Sequence, residues 1–334
     1  MEMLLPRVKE IAEKVVQKEK DSRAVAEKLR KNSGLFQKIR LDDNNDFKVV
    51  GVDGGIVKKT LHGFDLVLAR AVAVCFHCNK DRVSRVEYFP SRIPNPHAFI
   101  FDNLQETDFT YSASTIRQTT EIGTAIESVE KFRPSLLLLD GSIVPHYADK
   151  PGKDSQVYKD YENLIGLYKN LYKACEKNNT LLACVVEDSR GTRFCETVKA
   201  FLPKDPCLRD TSLLFWMLKK GERTKTFPYS ENPKGHHVLV DFEGYKINSF
   251  YIKTADMDRP IRIDFLGNDA DRIASVVFSL SARHSSYGIP SVLIEADHAA
   301  KLSEEDAENF YNHIVSHTGI LPSVFKLRRD TRPF

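Results

Sequence analysis

The chain has 334 residues, of which 42% are hydrophobic and 28% are charged, which is the composition of an ordinary globular protein rather than a disordered one. With 49 Lys and Arg against 46 Asp and Glu, the net charge of +3 excludes a polycation that binds nucleic acid through its bulk charge. It leaves open an enzyme with a local basic path, because bulk charge averages such a path away.

The sequence predicts a cytoplasmic protein without a membrane partner. No run approaches the roughly 18 apolar residues needed to cross a bilayer, and residues 1–20 are charged throughout, unlike a signal peptide. Cys75 and Cys78 have the CxxC spacing of a redox or zinc site, but their place at the end of a hydrophobic strand favours two buried thiols. The remaining cysteines, which form no second CxxC, are Cys175, Cys184, Cys195 and Cys207.

The first half of the chain has clear periodicity. Apolar residues at 3–4 spacing predict an amphipathic helix over residues 1–30, which is either a dimerisation or docking arm or a helix packed on its own domain. A polar loop at 42–46 follows. Three apolar segments with short connections then predict an antiparallel meander, and a helix and a buried parallel strand come next. The three antiparallel strands are predicted at 48–53, 64–76 and 82–89, the helix at 112–132 and the parallel strand at 136–140.

The second half predicts further helices at 156–177, 193–201, 211–220, 269–283 and 304–316, and strands at 181–186, 236–242, 246–254, 259–265 and 291–294. The order β-β-β-α-β-α-β is typical of the ribonuclease H-like fold. We therefore expect an α/β protein in which three antiparallel strands are extended by parallel strands and flanked by helices. Additional strands and helices occupy its C-terminal half.

Two aspartates stand where predicted strands end at a glycine, Asp53 in VGVDGG and Asp140 in LLLLDGS. The first and fourth strands of this fold are neighbours, so both side chains are expected at the same edge of the sheet. Glu121, Glu127 or Glu130 on helix 112–132 can reach the same point. Converging carboxylates need a cation such as Mg²⁺ or Mn²⁺, and two such ions about 3.5–4 Å apart support phosphodiester hydrolysis. The alternative is that each Asp only caps a turn.

Longer motifs make a resemblance specific. The segments KVVGVDGG, Arg117 through Glu121, LLLLDGSIVP and SSYGIPSVLIEADHAAKLS resemble the archaeal NurA nuclease family over roughly residues 45 to 305. The resemblance implies an N-terminal helix and linker at 1–45, a nuclease domain at 46–305 and a C-terminal helix and tail at 306–334. It also implies a Mn²⁺-dependent nuclease, with Mg²⁺ as the alternative and two ions, and it implies 5′–3′ exonuclease and single-strand endonuclease activities on DNA. The expected partners are a second copy of the chain and a HerA-type hexameric translocase in DNA end resection.

The same resemblance implies roles for individual residues. It makes Asp53, Glu121 and Asp140 metal ligands, and it favours Glu121 over Glu127 because Arg117 stands one turn before Glu121. The late histidine of the family corresponds to His298, as a ligand of the metal or of the scissile phosphate, and an active-site tyrosine corresponds to Tyr287. Without the resemblance, His298 is a surface histidine and Tyr287 a core aromatic residue.

DNA binding requires cations along a groove and aromatic side chains for unpaired bases. The candidate cations are Lys58, Lys59, Arg117 and Arg190, and further basic residues that are equally consistent with a solvated face are Arg193, Lys219, Lys220, Arg223 and Lys225. Phe99 and Phe101, in a predicted loop, either stack on DNA or pack in the core. Asp210 is expected to cap the helix that it opens.

One segment departs from the family pattern. Glu187 and Asp188 stand where the family usually has a basic residue, so either Arg190 replaces that charge or the two acids join the metal cluster.

Two other functions remain open from the residues alone. VDGGIVKKT resembles a phosphate loop of an actin-like nucleotide-binding phosphotransferase, although the chain lacks the second similar half and the adenosine motif of that class. A non-catalytic DNA-binding module, with its carboxylates as turn caps, is the other alternative.

Overall fold

The computed structural model describes residues 4–31, 33–41, 46–79, 82–102, 104–202, 209–282, 284–319, 324 and 326–327. Most of the predicted loop at 42–46, Cys207, Arg283 at the predicted end of a helix, and most of the predicted tail after residue 319 lie outside the described residues. Backbone contacts divide the chain into a first unit of residues 1–43, 183–232 and 244–291, and a second unit of residues 44–182, 233–243 and 292–334.

The strands, numbered in chain order, are β1 Phe36–Lys38, β2 Asp46–Thr60, β3 Asp65–Asn79, β4 Arg82–Phe89, β5 His97–Phe101, β6 Leu136–Asp140, β7 Leu181–Val186, β8 Glu222–Thr224, β9 Phe227–Pro228, β10 Ile247–Lys253 and β11 Ile261–Leu266. The helices are α1 Leu4–Leu29, α2 Glu106–Phe132, α3 Tyr158–Lys177, α4 Arg193–Thr197, α5 Asp210–Met217, α6 Ala270–Ser281, α7 Ser291–Ala300 and α8 Glu304–Thr318. None of these helices is long and apolar enough to cross a membrane.

The second unit is built on a mixed sheet in the order β6-β2-β3-β4, with β5 also paired to β3. The strands β2, β3 and β4 form an antiparallel meander, and β6 pairs in parallel with β2 after α2 has crossed over. This confirms the expected mixed α/β architecture and the expected neighbourhood of the first and fourth predicted strands.

Helices cover both faces of this sheet. Alternate residues of a strand point to opposite faces. On one face Val67 of β3 packs with Phe109 and Ala113 of α2. On the other face Leu66 and Leu68 pack with Ala307 of α8. The core of the second unit therefore consists of two apolar layers, one on each side of β2 and β3.

The first unit has a sheet in the order β1-β8-β10-β11-β7, in which each of these pairs is antiparallel, and β9 also pairs with β10. The C-terminal part of α1 packs there through Val25, Ala26 and Leu29 against a core that includes α5. The apolar stripe nearer the start of α1 is half exposed instead; its members are Val8, Ile11, Val15 and Val16.

Several predicted elements were wrong. Residues 291–294 begin α7, and residues 236–242 contain a short 3₁₀ turn, so neither segment is the expected strand. Such short apolar runs carry too little periodicity to separate a strand from a helix. β2 does not end at Gly54 and Gly55 but continues to Thr60, because β3 pairs with it along its whole length.

The predicted loop around Phe99 and Phe101 contains β5, and both rings pack on the cluster around Val67. Of the two predicted roles, stacking on DNA or packing in the core, the structure shows that Phe99 and Phe101 pack in the core.

Candidate active site

The pairing register of β2 and β6 places two aspartates side by side. Val52 is opposite Leu139 in the parallel ladder, so Asp53 and Asp140 are the next residues on each strand. Neighbouring strands are about 4.8 Å apart. Gly141 follows Asp140 with a φ of 98°, a left-handed conformation that favours glycine and turns the chain away from the sheet. The two aspartates therefore lie together where β6 ends.

Glu121 of α2 approaches the same strand because Gly54 has no side chain. A Cβ atom on Gly54 would lie 3.2 Å from the Cβ of Glu121 and 3.3 Å from its Oε2. The side chain of Glu121 is buried, and Arg117, one turn earlier, donates a hydrogen bond to its Oε2 at 3.0 Å. Glu127 and Glu130 are exposed. Of the three candidate glutamates, Glu121 is thus the one that the structure brings to Asp53 and Asp140.

The electrostatics show that these carboxyl groups interact. Burial raises the pKa of Glu121, Arg117 opposes the rise, and the charges of Asp53 and Asp140 add to it, so that the pKa is about 8. Burial also raises the pKa of Asp53, although its Oδ1 accepts a hydrogen bond of 2.7 Å from the backbone N–H of Gly54. Protons are therefore retained on this cluster in the absence of a cation.

Asp297 on α7 is a site residue that the sequence reasoning missed. Its carboxyl group interacts with that of Asp53 and contributes to the raised pKa of Asp53. The only sequence signal was its position beside His298 in EADHAAKL. His298 itself is exposed on α7.

Two of the predicted cations lie on β2 beyond Asp53. Lys58 is exposed. Lys59 is ion-paired with Glu308 of α8, and its ammonium group lies 5.3 Å from the centre of the Tyr311 ring. Lys59 is therefore engaged in holding α8, whereas Lys58 faces solvent.

Other predicted residues belong to the first unit. Tyr287 and Arg190 are both exposed there. Asp188 is ion-paired with Arg259 at 2.8 Å. In the turn after Tyr287, the backbone N–H of Gly288 donates to Asp258 at 2.8 Å.

Three expectations for polar residues of the first unit change with the structure. Arg193 and Arg223 are buried and bound to acidic side chains, including Glu196 and Asp271, so they are structural rather than solvated. Asp210 does not cap its own helix. Its carboxylate accepts hydrogen bonds of 2.9 Å from the backbone N–H groups of Phe194 and Cys195, and so it caps α4.

The donor set of the second unit fits a hard divalent cation, since it consists of carboxylate oxygens from several elements. As the side chains stand, no group of three His, Cys, Asp or Glu residues in the described part of the chain is close enough to hold an ion. Glu121 is directed to Arg117, and Asp53 to Gly54 and Asp297. The carboxyl groups of Glu121 and Asp53 thus each have an internal partner.

The chain is similar to proteins of one family. The sequence profile of the NurA domain matches residues 47–302. The chain has no match among curated protein sequences. The NurA nuclease from Sulfolobus solfataricus is 19% identical in sequence, with a TM-score of 0.62 over 95% of both chains. A NurA structure with manganese is 11% identical, with a TM-score of 0.55 over 95% of this chain and 98% of that one.

Proposed function

Because the chain belongs to the NurA family, we propose that it is a metal-dependent nuclease that hydrolyses phosphodiester bonds in DNA. The observation that supports this most directly is the interaction of Asp53, Glu121 and Asp140, which come from three separate elements. Keeping several carboxylates together at low exposure is unfavourable unless a cation compensates their charge. Family membership also favours the nuclease over the actin-like phosphotransferase and over a non-catalytic module.

Mn²⁺ is the proposed ion, with Mg²⁺ as the alternative and two ions as the proposed number. A NurA structure determined with manganese supports this choice. Asp53, Glu121 and Asp140 would hold the metal, and His298 stays a candidate ligand. When bound, such ions lower the pKa of a coordinated water and neutralise charge on the leaving oxygen.

The chain's own residues prepare the site for a polyanion. Arg117 binds Glu121, so its guanidinium is held beside the cluster, where it can donate to a phosphate oxygen of DNA. Lys58, exposed on the same strand as Asp53, supplies a second positive charge for the DNA backbone. Gly54 orients the carboxyl group of Asp53 through its backbone N–H.

The finer proposals rest on the family resemblance. We propose 5′–3′ exonuclease and single-strand endonuclease activities in DNA end resection, a homodimer, a HerA-type hexameric translocase as partner, and a cytoplasmic location. Tyr287 and Arg190 of the first unit are proposed as an active-site residue and a DNA-binding residue, respectively. Lys59 is ion-paired with Glu308. We therefore propose that Lys59 binds DNA only when a phosphate group replaces Glu308 as its partner.

The test is cleavage of end-labelled single- and double-stranded DNA with Mn²⁺ by the wild-type chain, Asp53→Asn and Asp140→Asn. We expect cleavage by the wild type, abolition by EDTA and recovery on adding Mn²⁺. Each substitution should lower the rate by about a hundredfold or more, because several kcal/mol of transition-state stabilisation are lost.

The matched control is Asp154→Asn, which makes the same change at an exposed position of the second unit. It should cleave at the wild-type rate. Cleavage that persists in the Asp53→Asn, Asp140→Asn double variant, or that is indifferent to EDTA, would contradict the proposed function.

A further inference from the structure

The segment that follows Asp140 exposes a tyrosine. After β6 the chain runs through GSIVPH into a short 3₁₀ turn, Tyr147–Asp149. Among the aromatic side chains in the described part of the chain, that of Tyr147 has the largest exposed fraction, 64%. Tyrosine is enriched where a protein contacts a partner, because its ring offers a large apolar surface at one end and a hydroxyl at the other. The turn is therefore a candidate contact for a ligand.

The start of this segment is held in place by the core. Ile143 is buried, and its carbonyl oxygen accepts a hydrogen bond of 2.5 Å from the hydroxyl of Tyr172 on α3. In the turn itself, Nδ1 of His146 accepts a hydrogen bond of 3.2 Å from the backbone N–H of Ala148. The centre of the His146 ring lies 4.3 Å from that of Tyr147. The exposed tyrosine ring is thus supported by a second ring that belongs to the turn.

The end of the turn is connected to the helix that carries Glu121. The carboxylate of Asp149 accepts a hydrogen bond of 3.2 Å from Nε2 of Gln118 on α2. Burial acts to lower the pKa of Arg117, and the charges of neighbouring acids, Glu121 and Asp149 among them, raise it. Asp149 therefore lies within electrostatic reach of the carboxylate site, and Tyr147 lies two residues before it.

The charges at the end of the turn are already compensated. The ammonium group of Lys150 donates to the carboxylate of Asp241 at 2.7 Å and to the carbonyl oxygen of His237 at 2.9 Å. All three residues belong to the second unit. Since Asp149 and Lys150 have internal partners, the turn offers an aromatic ring to a ligand rather than a net charge. This chemistry suits the face of a nucleobase better than a phosphate group.

An accessible ring beside a DNA-cleaving site fits an unpaired base. Aromatic side chains stack on the bases of single strands with little dependence on base identity, because every base has a π-face. In a duplex these faces are covered by the neighbouring base pairs, so only an unpaired nucleotide can offer one. The fixed turn loses little conformational freedom on binding, which favours such a contact.

We propose that Tyr147 is a base-stacking residue that holds an unpaired nucleotide of the DNA substrate next to the carboxylate site. The proposal rests on the proposed function, because it takes DNA as the substrate. It goes beyond that function by assigning the recognition of single-stranded DNA to a named side chain on the turn after β6.

The experiment measures the binding of a fluorescein-labelled single-stranded oligonucleotide to the full chain by fluorescence anisotropy, in EDTA to prevent metal-dependent cleavage. The variants are Tyr147→Ala, Tyr147→Phe and, as a control at another exposed aromatic residue, Phe201→Ala. We expect Tyr147→Ala to weaken binding by about tenfold, because the stacking of one base is lost. Tyr147→Phe keeps the ring and should bind as the wild type does, and Phe201→Ala should also be unchanged.

Cleavage kinetics with Mn²⁺ provide a second measurement. Tyr147→Ala should raise KM for single-stranded DNA by about tenfold and leave kcat nearly unchanged, because the ring binds the substrate away from the reacting atoms. Thermal melts of each variant confirm that it is folded.

A set of oligonucleotides with one abasic nucleotide at successive positions separates stacking from a structural effect. An abasic nucleotide lacks the base but keeps the phosphate backbone. At one position it should weaken binding by the wild type about as much as Tyr147→Ala does, and binding by Tyr147→Ala should be indifferent to it there. Weakening by Tyr147→Ala that is equal for every oligonucleotide would overturn the proposal.

The other outcomes distinguish this proposal from the proposed function. If Tyr147→Ala binds and cleaves single-stranded DNA as the wild type does, the stacking role is wrong and the proposed function stands. An equal loss in Phe201→Ala would assign the effect to exposed aromatic rings in general and overturn the proposal. If Tyr147→Ala changes only the mass measured by light scattering, the turn contacts a protein instead. If the wild type neither binds nor cleaves DNA, both proposals fail.

Discussion

Gly55 of β2 lies directly beneath the carbonyl oxygen of Ala300, the last residue of α7, so that any side chain at this position would collide with the helix backbone. The contact is made two residues from Asp53 and on the same face of the strand. The second glycine of the DGG motif is therefore required by helix packing.

We predict that Gly55→Ala destabilises the second unit by about 1–3 kcal/mol, because the backbone of α7 has to move away from β2. Mn²⁺ affinity should fall with it, since α7 lies directly on the strand that carries Asp53. Chemical denaturation and Mn²⁺ titration measure the two effects. Gly123→Ala is the matched control: apart from its own turn of α2, no atom lies within 4 Å of its Cβ position, and alanine favours a helix, so stability should be unchanged or higher. Equal stability of the two variants would contradict the prediction.

The raised pKa of Glu121 predicts a pH dependence of metal-free stability. Burial and the neighbouring acids raise the pKa to about 8 in the folded chain, against an ordinary value of 4.5. The folded state then binds more protons than the unfolded state between these values, so stability falls as pH rises from about 4.5 to 8, by up to about 1.4 kcal/mol per unit.

Glu121→Gln lacks this titration, so the wild type should lose stability relative to this variant between pH 5 and 8 in EDTA. Denaturation curves at several pH values give the difference. Glu127 is exposed on the same helix, so the difference in stability between Glu127→Gln and the wild type should stay constant over this pH range. A constant difference for Glu121→Gln would exclude the raised pKa.

For Lys253 we predict the opposite dependence: stability rises with pH in the alkaline range. Burial lowers the pKa of its ammonium group to about 8, with Asp258 and Asp256 opposing the shift. The group lies 3.8 Å from the centre of the Phe215 ring and donates to the carbonyl oxygen of Asp258 at 2.6 Å. The unfolded state binds more protons between pH 8 and 10.5, so the contribution of this group to stability is complete above that range and is lost as pH falls through 8.

The stability of the wild type relative to Lys253→Met should therefore rise by about 3 kcal/mol between pH 7 and 10.5. Urea denaturation at the two pH values measures it. Lys220→Met, at an exposed position, is the control, and its stability relative to the wild type should be the same at both pH values. If the stability difference between the wild type and Lys253→Met is equally independent of pH, the pKa of Lys253 is not lowered.

The CxxC pair is predicted to be chemically inert. Cys75 and Cys78 are buried, and burial raises the pKa of the Cys75 thiol to about 12, which leaves almost no thiolate at neutral pH. In a Cys207→Ser background, thiol reagents should label the native protein slowly and five cysteines rapidly after denaturation. Rapid labelling of the native protein, or bound zinc, would support the redox or zinc alternative instead.

The local sequence pattern was sufficient to predict the antiparallel meander, the helix α2 and the parallel strand β6. The apolar stripe of α2 has helical 3–4 spacing, and the continuous apolar run of β6 is typical of a buried parallel strand. From the strand order it follows that Asp53 and Asp140 are neighbours, and the register of β2 and β6 agrees. The site's first two carboxylates were therefore predictable without coordinates.

The approach of Glu121 and of Asp297 to Asp53 depended on close contacts between distant segments. Gly54 admits Glu121 from one face of β2, while Gly51 and Gly55 admit α7 on the other face. His298 was singled out only by the family resemblance. The residue pattern alone predicted a strand at 291–294, because a short apolar run does not reveal the direction in which a helix turns its polar side chains. That direction was decided by packing: the apolar stripe of α7 has to face the sheet, which leaves Asp297 at its edge beside Asp53.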